Sequence, residues 1–192
     1  MQLLSQRCAR YILLVLTWGW LRPAAVQAQT QLLEVRVEAA FLYSFARFVE
    51  WPGDSGTLAS APVTFCVLGS TLLEDALEQS LAGKTINGHP VRSRHIGRPE
   101  DALHCQIAFI GWDDREQLPA MLETLSAAPV LTVADFEQFV SHGGMIQLIK
   151  VGNRFRFAVN VDAVARHGLH VSSKLLQLAD VVHESGTARS KP

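Results

Sequence analysis

The alternation of apolar and polar positions divides the chain into helical and extended elements. From Leu32 to Trp51 the pattern is helical: Val35, Leu42, Phe45 and Val49 fall on one face, Phe41 and Phe48 widen it, and Arg36, Arg47 and Glu50 lie elsewhere. Pro52-Gly53 stops this helix. Val63 to Leu68 is a continuous apolar run of strand length, and Thr71-Leu72-Leu73-Glu74 is a capping box that opens a helix running to Gly83. Asn87-Gly88 marks a turn between Lys84-Thr85-Ile86 and Val91 to Ile96, which predicts a hairpin whose second arm is polar and suited to a sheet edge. Cys105 to Ile110 is a second buried strand. A short helix with Pro119 in its first turn follows, then a strand over Pro129 to Val133, then a helix capped by Asp135 and stopped by Gly143-Gly144.

In the last third, Met145 to Val151 returns through Gly152-Asn153 into Arg154 to Val159, where Phe155, Phe157 and Val159 share one face. Two helices close the pattern, one capped by Asn160 and ending at Gly168, the other capped by Ser172 or Ser173 and carrying Leu175, Leu176, Leu178 and Ala179. Strands alternating with helices predict a single α/β layered domain: a mixed, partly parallel sheet flanked by helices, Rossmann-like, with antiparallel hairpins added.

The amino terminus breaks the alternation. Arg7 and Arg10 precede an apolar run from Tyr11 to Leu21, followed by Pro23 and the small-residue stretch Val26-Gln27-Ala28. The run falls well short of the ~20 apolar residues of a spanning helix, so it reads as a signal peptide cleaved after Ala28. Cys8 lies before the apolar run, where it offers no lipid anchor, and leaves with the leader. The expected organisation is a leader over 1–28, one domain over 35–183 and a flexible tail over 184–192, and the expected location is the periplasm.

Export changes the charge balance. The leader carries Arg7, Arg10 and Arg22 of the 17 basic residues and none of the 18 acids, so 14 bases remain against 18 acids, near −4. An acidic chain without clustered Lys and Arg gives no electrostatic reason for nucleic-acid binding. Two cysteines remain, Cys66 and Cys105, and an even number in an exported chain favours a disulfide over two buried thiols.

Chemistry is harder to find. Gly83-Lys84-Thr85 imitates the end of a phosphate-binding loop, but Glu78 stands where that motif needs glycine, and the segment leaves a helix to enter a strand. His167 and His170 straddle Gly168, an expected helix stop, and His104 beside Cys105 lacks further ligands at metal spacing. The acidic pairs Asp113-Asp114 and Glu100-Asp101 sit in loops or at helix starts, and no Gly-x-Ser-x-Gly elbow is present. These readings assign no catalytic residue, metal or cofactor.

Several stretches together resemble the YfiR family of periplasmic regulators: Val37 to Pro52, the strand around Cys66, Cys105 to Ile110, Gly143-Gly144-Met145-Ile146, Asn153 to Phe157 with Asn160, and Gly168-Leu169 with Ser172 to Leu176. The resemblance covers about residues 35 to 182. It implies a binding protein and no catalysis, since the family's best-known members hold an inner-membrane diguanylate cyclase inactive and are titrated by an outer-membrane lipoprotein. It carries over the Cys66–Cys105 pair but not the family's second disulfide, because no cysteine follows Cys105. A homodimer stays open. Trp51 and Trp112 are the candidate partner contacts, as aromatic residues at element ends. The competing expectation is a small-ligand-binding module using a crevice at the strand ends of an open α/β sheet.

Overall fold

The buried strands read as near-continuous apolar runs because both of their faces are covered. In the computed structural model, which describes residues 24–52, 61–111, 116–152 and 154–182, the strand β2 (Val63–Leu68) sends Phe65 and Val67 to one face and Cys66 and Leu68 to the other. Strands β5 (Ile107–Ile110) and β6 (Leu131–Ala134) alternate the same way, with Ile107, Phe109, Leu131 and Val133 on the first face and Ala108, Ile110 and Ala134 on the second. The result is three layers, the arrangement expected from the sequence.

The chain divides after Glu34, and the body described here begins at Val35. The first helix, α1 (Ala24–Phe48), buries Val35, Ala39, Leu42, Phe45 and Ala46, a four–three repeat that keeps one stripe on the sheet. The expected cleavage point after Ala28 falls within this helix; residues 1–23 and the tail from 183 lie outside the described residues. At its carboxyl end, Val49–Glu50 leave the helix as a two-residue strand β1, antiparallel to β9 (His170–Val171).

The helix α2 (Thr71–Leu81) covers the same face as α1 through Leu73, Ala76, Leu77 and Leu81. Its cap is Ser70, one residue earlier than the capping box predicts, and Glu74 is drawn away to accept the His95 backbone N–H at 2.7 Å. On the opposite face lie a 3-10 turn over Pro99–His104 and the helix α3 (Leu118–Leu125).

The sheet runs β10-β8-β7-β6-β5-β2-β4-β3, where β3 is Thr85–Ile86, β4 His89–His95, β7 Ile146–Val151, β8 Arg154–Asn160 and β10 Asp180–Val182. Strands β4, β2, β5, β6 and β7 are mutually parallel, while β3, β8 and β10 run the other way. Taken in chain order the five parallel strands lie 2-1-3-4-5, a doubly wound order whose switch point falls between β2 and β5. The hairpin expected around Asn87-Gly88 closes one edge, with both residues at positive φ (51° and 85°) as a tight primed turn requires. Beyond that turn the outer side of β4 is blunted: Val91 N–H donates to Lys84 O and His95 N–H to Glu74.

One expected element is absent. Residues 135–142 form turns and a 3-10 segment (Val140–His142) instead of a helix capped by Asp135, and Gln138 takes a left-handed φ of 65° that interrupts helical bonding. Tertiary contacts outweigh the local signal. Phe136 and Phe139 are both buried, edge to face at 5.5 Å, and Gly144 is bare because a Cβ there would overlap the Phe139 ring. The buried Asn160 fixes the segment: its Nδ2 donates to Val140 O at 3.0 Å, while its Oδ1 accepts from Ala163 N at 2.9 Å and so caps α4 (Val161–Arg166). Thr132 adds a further tie by accepting Met145 N–H. The closing helix α5 (Ser173–Leu176) is capped by Ser172.

Candidate functional site

Open sheets of this order offer ligands a crevice at the carboxyl ends of the strands beside the switch point. Here β2 and β5 meet instead. Gly111 N–H donates to Leu68 O at 2.9 Å, and a Cβ on Gly111 would stand 2.9 Å from Leu68 O and 3.1 Å from the Gly69 carbonyl carbon. Contact of backbone on backbone leaves no room for a ligand between these two strand ends.

The amino ends of the same strands differ. A cavity of about 260 Å³ lies among the residues that lead into β2, β4, β5 and β6, with Trp51, Val63, Ile86 and Cys105 in its wall. Trp51 is set there by the short β1–β9 ladder, in which Val49 pairs with Val171 and Ser172 N–H donates to Phe48 O at 2.9 Å. Pro52, directly after it, favours an extended backbone at Trp51. The hairpin supplies Ile86, Asn87 and His89, and His89 Nδ1 donates to Ala61 O at 3.1 Å, tying the hairpin to the entry of β2.

Gln106 prolongs the sheet by one rung with its side chain. Its N–H donates to Thr64 O, its Oε1 accepts from Thr64 N at 2.8 Å, and its own carbonyl accepts from Leu131 N. Just beside it Cys105 is joined to Cys66 by a disulfide, both cysteines buried. The bond links the middle of β2 to the entry of β5 across the switch point and forms part of the cavity wall.

Trp51 is half-buried, and its Nε1 is the one buried side-chain polar atom without a hydrogen-bond partner among the described residues. Trp112, the other tryptophan singled out by sequence, lies outside the described residues, as do Asp113 and Asp114. Among the described residues no group of three His, Cys, Asp or Glu side chains could hold a metal ion, and no helix is long and apolar enough to cross a membrane. The phosphate-loop imitation is a helix stop: Gly83 has a φ of 71°, and Lys84 Nζ lies 4.6 Å from the centre of the Tyr43 ring. His167 donates through Nδ1 to Ala163 O within its own turn, away from any shared site with His170 on β9.

Sequence reasoning found Trp51 and the cysteines but not Asn87, His89 or Gln106 as neighbours in one cavity. What joins them is topology: each stands at or just before the start of β4 or β5, and both strands run parallel to β2.

Residues 35–180 match the YfiR/HmsC-like family across nearly the whole body of the fold. The chain belongs to the YfiR/HmsC-like family. At the family level the match supports a role in the regulation of cyclic-di-GMP signalling, and YfiR-like proteins as a family are periplasmic regulators. Among solved structures, a conserved domain protein from Vibrio cholerae O1 biovar El Tor superposes with a TM-score of 0.53 at 10% identity, covering 77% of this chain and 59% of that one. The chain thus spans about three-fifths of that protein's length, and the likeness is one of fold. A Streptococcus pneumonia ABC domain in complex with L-Trp reaches a TM-score of 0.45 at 10% identity, covering 62% of this chain and 54% of that one. The buried Asn160 and the bare Gly144 give physical reasons for two of the sequence features that carry the YfiR resemblance: one bridges Val140 to α4, the other makes room for Phe139.

Proposed function

We propose that this YfiR-like protein is a periplasmic inhibitory regulator that binds the periplasmic part of an inner-membrane diguanylate cyclase and holds it inactive. The observation that carries this reading is the family match over residues 35–180. Repression of this kind requires tighter binding to the inactive than to the active conformation of the partner, a coupling of ~1–3 kcal/mol in typical systems. An outer-membrane lipoprotein is the matching antagonist, since the space between two membranes gives both access to the same protein. Maturation after Ala28 would release residues 35–183 as the working domain with 184–192 as a tail. Trp112, next in sequence to Gly111 and just past the end of a strand, is the contact residue to test first; Trp51 is partly taken up in the cavity wall.

Deletion of the gene should raise cyclic-di-GMP and biofilm in a strain shown to make the protein. Unchanged cyclic-di-GMP there would sink the proposal. Crosslinking and pull-down of the tagged mature protein should recover a membrane cyclase.

A further inference from the structure

Three arginines stand along β4 and the turn after it, and they are held in two different ways. Arg98 meets the Asp101 carboxylate at 3.2 Å, much as Arg156 on β8 meets that of Asp180 at 2.7 Å. Arg92 and Arg94 are anchored by neutral oxygens instead. Arg92 Nε donates to the hydroxyl of the buried Thr64 at 2.9 Å, and Arg94 donates through a terminal nitrogen to Asp101 O at 2.6 Å. Neither has a carboxylate partner among the described residues. Both guanidiniums therefore keep their charge while their orientation is fixed. Each also has donors to spare, both terminal nitrogens on Arg92 and the Nε with the second terminal nitrogen on Arg94.

Strand alternation puts the two side chains on one face of the sheet, with Cα atoms about 6.5 Å apart, in register with Thr64 and Cys66 of β2. Charges that only guard an edge strand against pairing need no anchor. These two are tied to β2 and to the 3-10 turn, and both are exposed. We propose that Arg92 and Arg94 together form a binding site for a phosphate group, free or as the headgroup of an anionic phospholipid. A carboxylate is matched by a single guanidinium fork, whereas a phosphate has oxygens enough to engage two. The whole chain carries 18 acids against 17 Lys and Arg, so its overall charge attracts no anion and recognition rests on the local pair. This site goes beyond the regulatory reading and does not depend on which protein is regulated.

The test is a calorimetric titration of the mature chain, at constant ionic strength, with inorganic phosphate, glycerol phosphate and acetate, while the arginine Nε–H resonances are followed. Both phosphates should bind saturably at millimolar concentration and move the Arg92 resonance, and acetate should bind at least about tenfold more weakly. Arg92→Gln and Arg94→Gln change exposed positions, so both should fold; each should weaken phosphate by about tenfold. Arg92→Lys should not restore it, because an ammonium lacks the fork. Arg154→Gln, at an exposed arginine of β8, should bind like the parent. Cosedimentation with vesicles of phosphatidylglycerol and phosphatidylcholine, against phosphatidylcholine alone, separates the two sources. Sedimentation that Arg92→Gln abolishes assigns the site to lipid headgroups; phosphate binding without sedimentation assigns it to a soluble phosphate. If neither phosphate binds at millimolar concentration, or acetate binds as well, as a site for a partner protein's carboxylates would allow, the proposal is overturned. It is overturned equally if Arg154→Gln weakens phosphate as much as Arg92→Gln does. None of these readouts involves the membrane cyclase, so this site and the regulatory reading fail independently.

Discussion

The two ends of the parallel strands are built to opposite specifications. At the carboxyl ends β2 and β5 close on each other, Gly111 against Leu68 and Gly69 with no side chain between them. At the amino ends the same two strands are held by side chains, the Cys66–Cys105 disulfide and the Gln106 amide, and a cavity remains beside them. Backbone-to-backbone contact fixes a distance and leaves nothing to recognise. Side-chain bracing holds strands together while leaving space, and Trp51, whose buried Nε1 has no acceptor among the described residues, is part of the wall of that space. A doubly wound order identifies the switch point, but which end of it is usable depends on single residues.

The largest effect should come from the brace at the amino end. Replacing both Cys66 and Cys105 by Ala removes a crosslink closing 39 residues of sequence separation, which the chain-entropy account puts at about 4 kcal/mol. The denaturant midpoint should fall accordingly with the slope nearly unchanged. A loss below ~1 kcal/mol would mean that the β2–β5 ladder and Gln106 hold this end unaided, and the contrast between the ends would weaken.

The carboxyl end is probed by Gly111→Ala. Its Cβ would meet the Leu68 carbonyl oxygen at 2.9 Å, closer than real Cβ atoms approach backbone, so β2 and β5 must part. Overpacking of this kind costs ~1–3 kcal/mol, read as a lower melting temperature. Were the variant as stable as the parent, the closure would be slack and a crevice there would again be available to a ligand.

Much of this fold is legible in the sequence, for reasons that differ by region. Strands β2 and β5 are readable because burial on both faces leaves them no polar positions, and the Asn87-Gly88 turn because few other pairs tolerate two positive φ values in succession. The segment after Asp135 reads as a helix and is not one, since Gln138 takes a left-handed φ and side chains beyond the segment (Asn160, Gln147) satisfy the Val140 backbone. The cavity was out of reach for a related reason: Trp51 and Gln106 are 55 positions apart, and only the strand order brings them to one end of the sheet.

The smallest effect, and the sharpest test of the comparison, belongs to Trp51→Phe. Two changes oppose each other: the smaller ring gives up contact in a half-buried position, while removal of Nε1 abolishes a buried donor that has no acceptor. An unsatisfied donor of this type costs roughly 1–3 kcal/mol, of the same order as the lost contact, so the stability should stay within about 1 kcal/mol of the parent by chemical denaturation. A tryptophan kept for packing alone behaves otherwise, because losing its larger ring without relief lowers stability by more than that. Near-neutral stability would show that removal of the unsatisfied donor offsets the lost ring contact at this end of the sheet. A clear loss of stability would show that packing of the larger ring outweighs the unsatisfied donor.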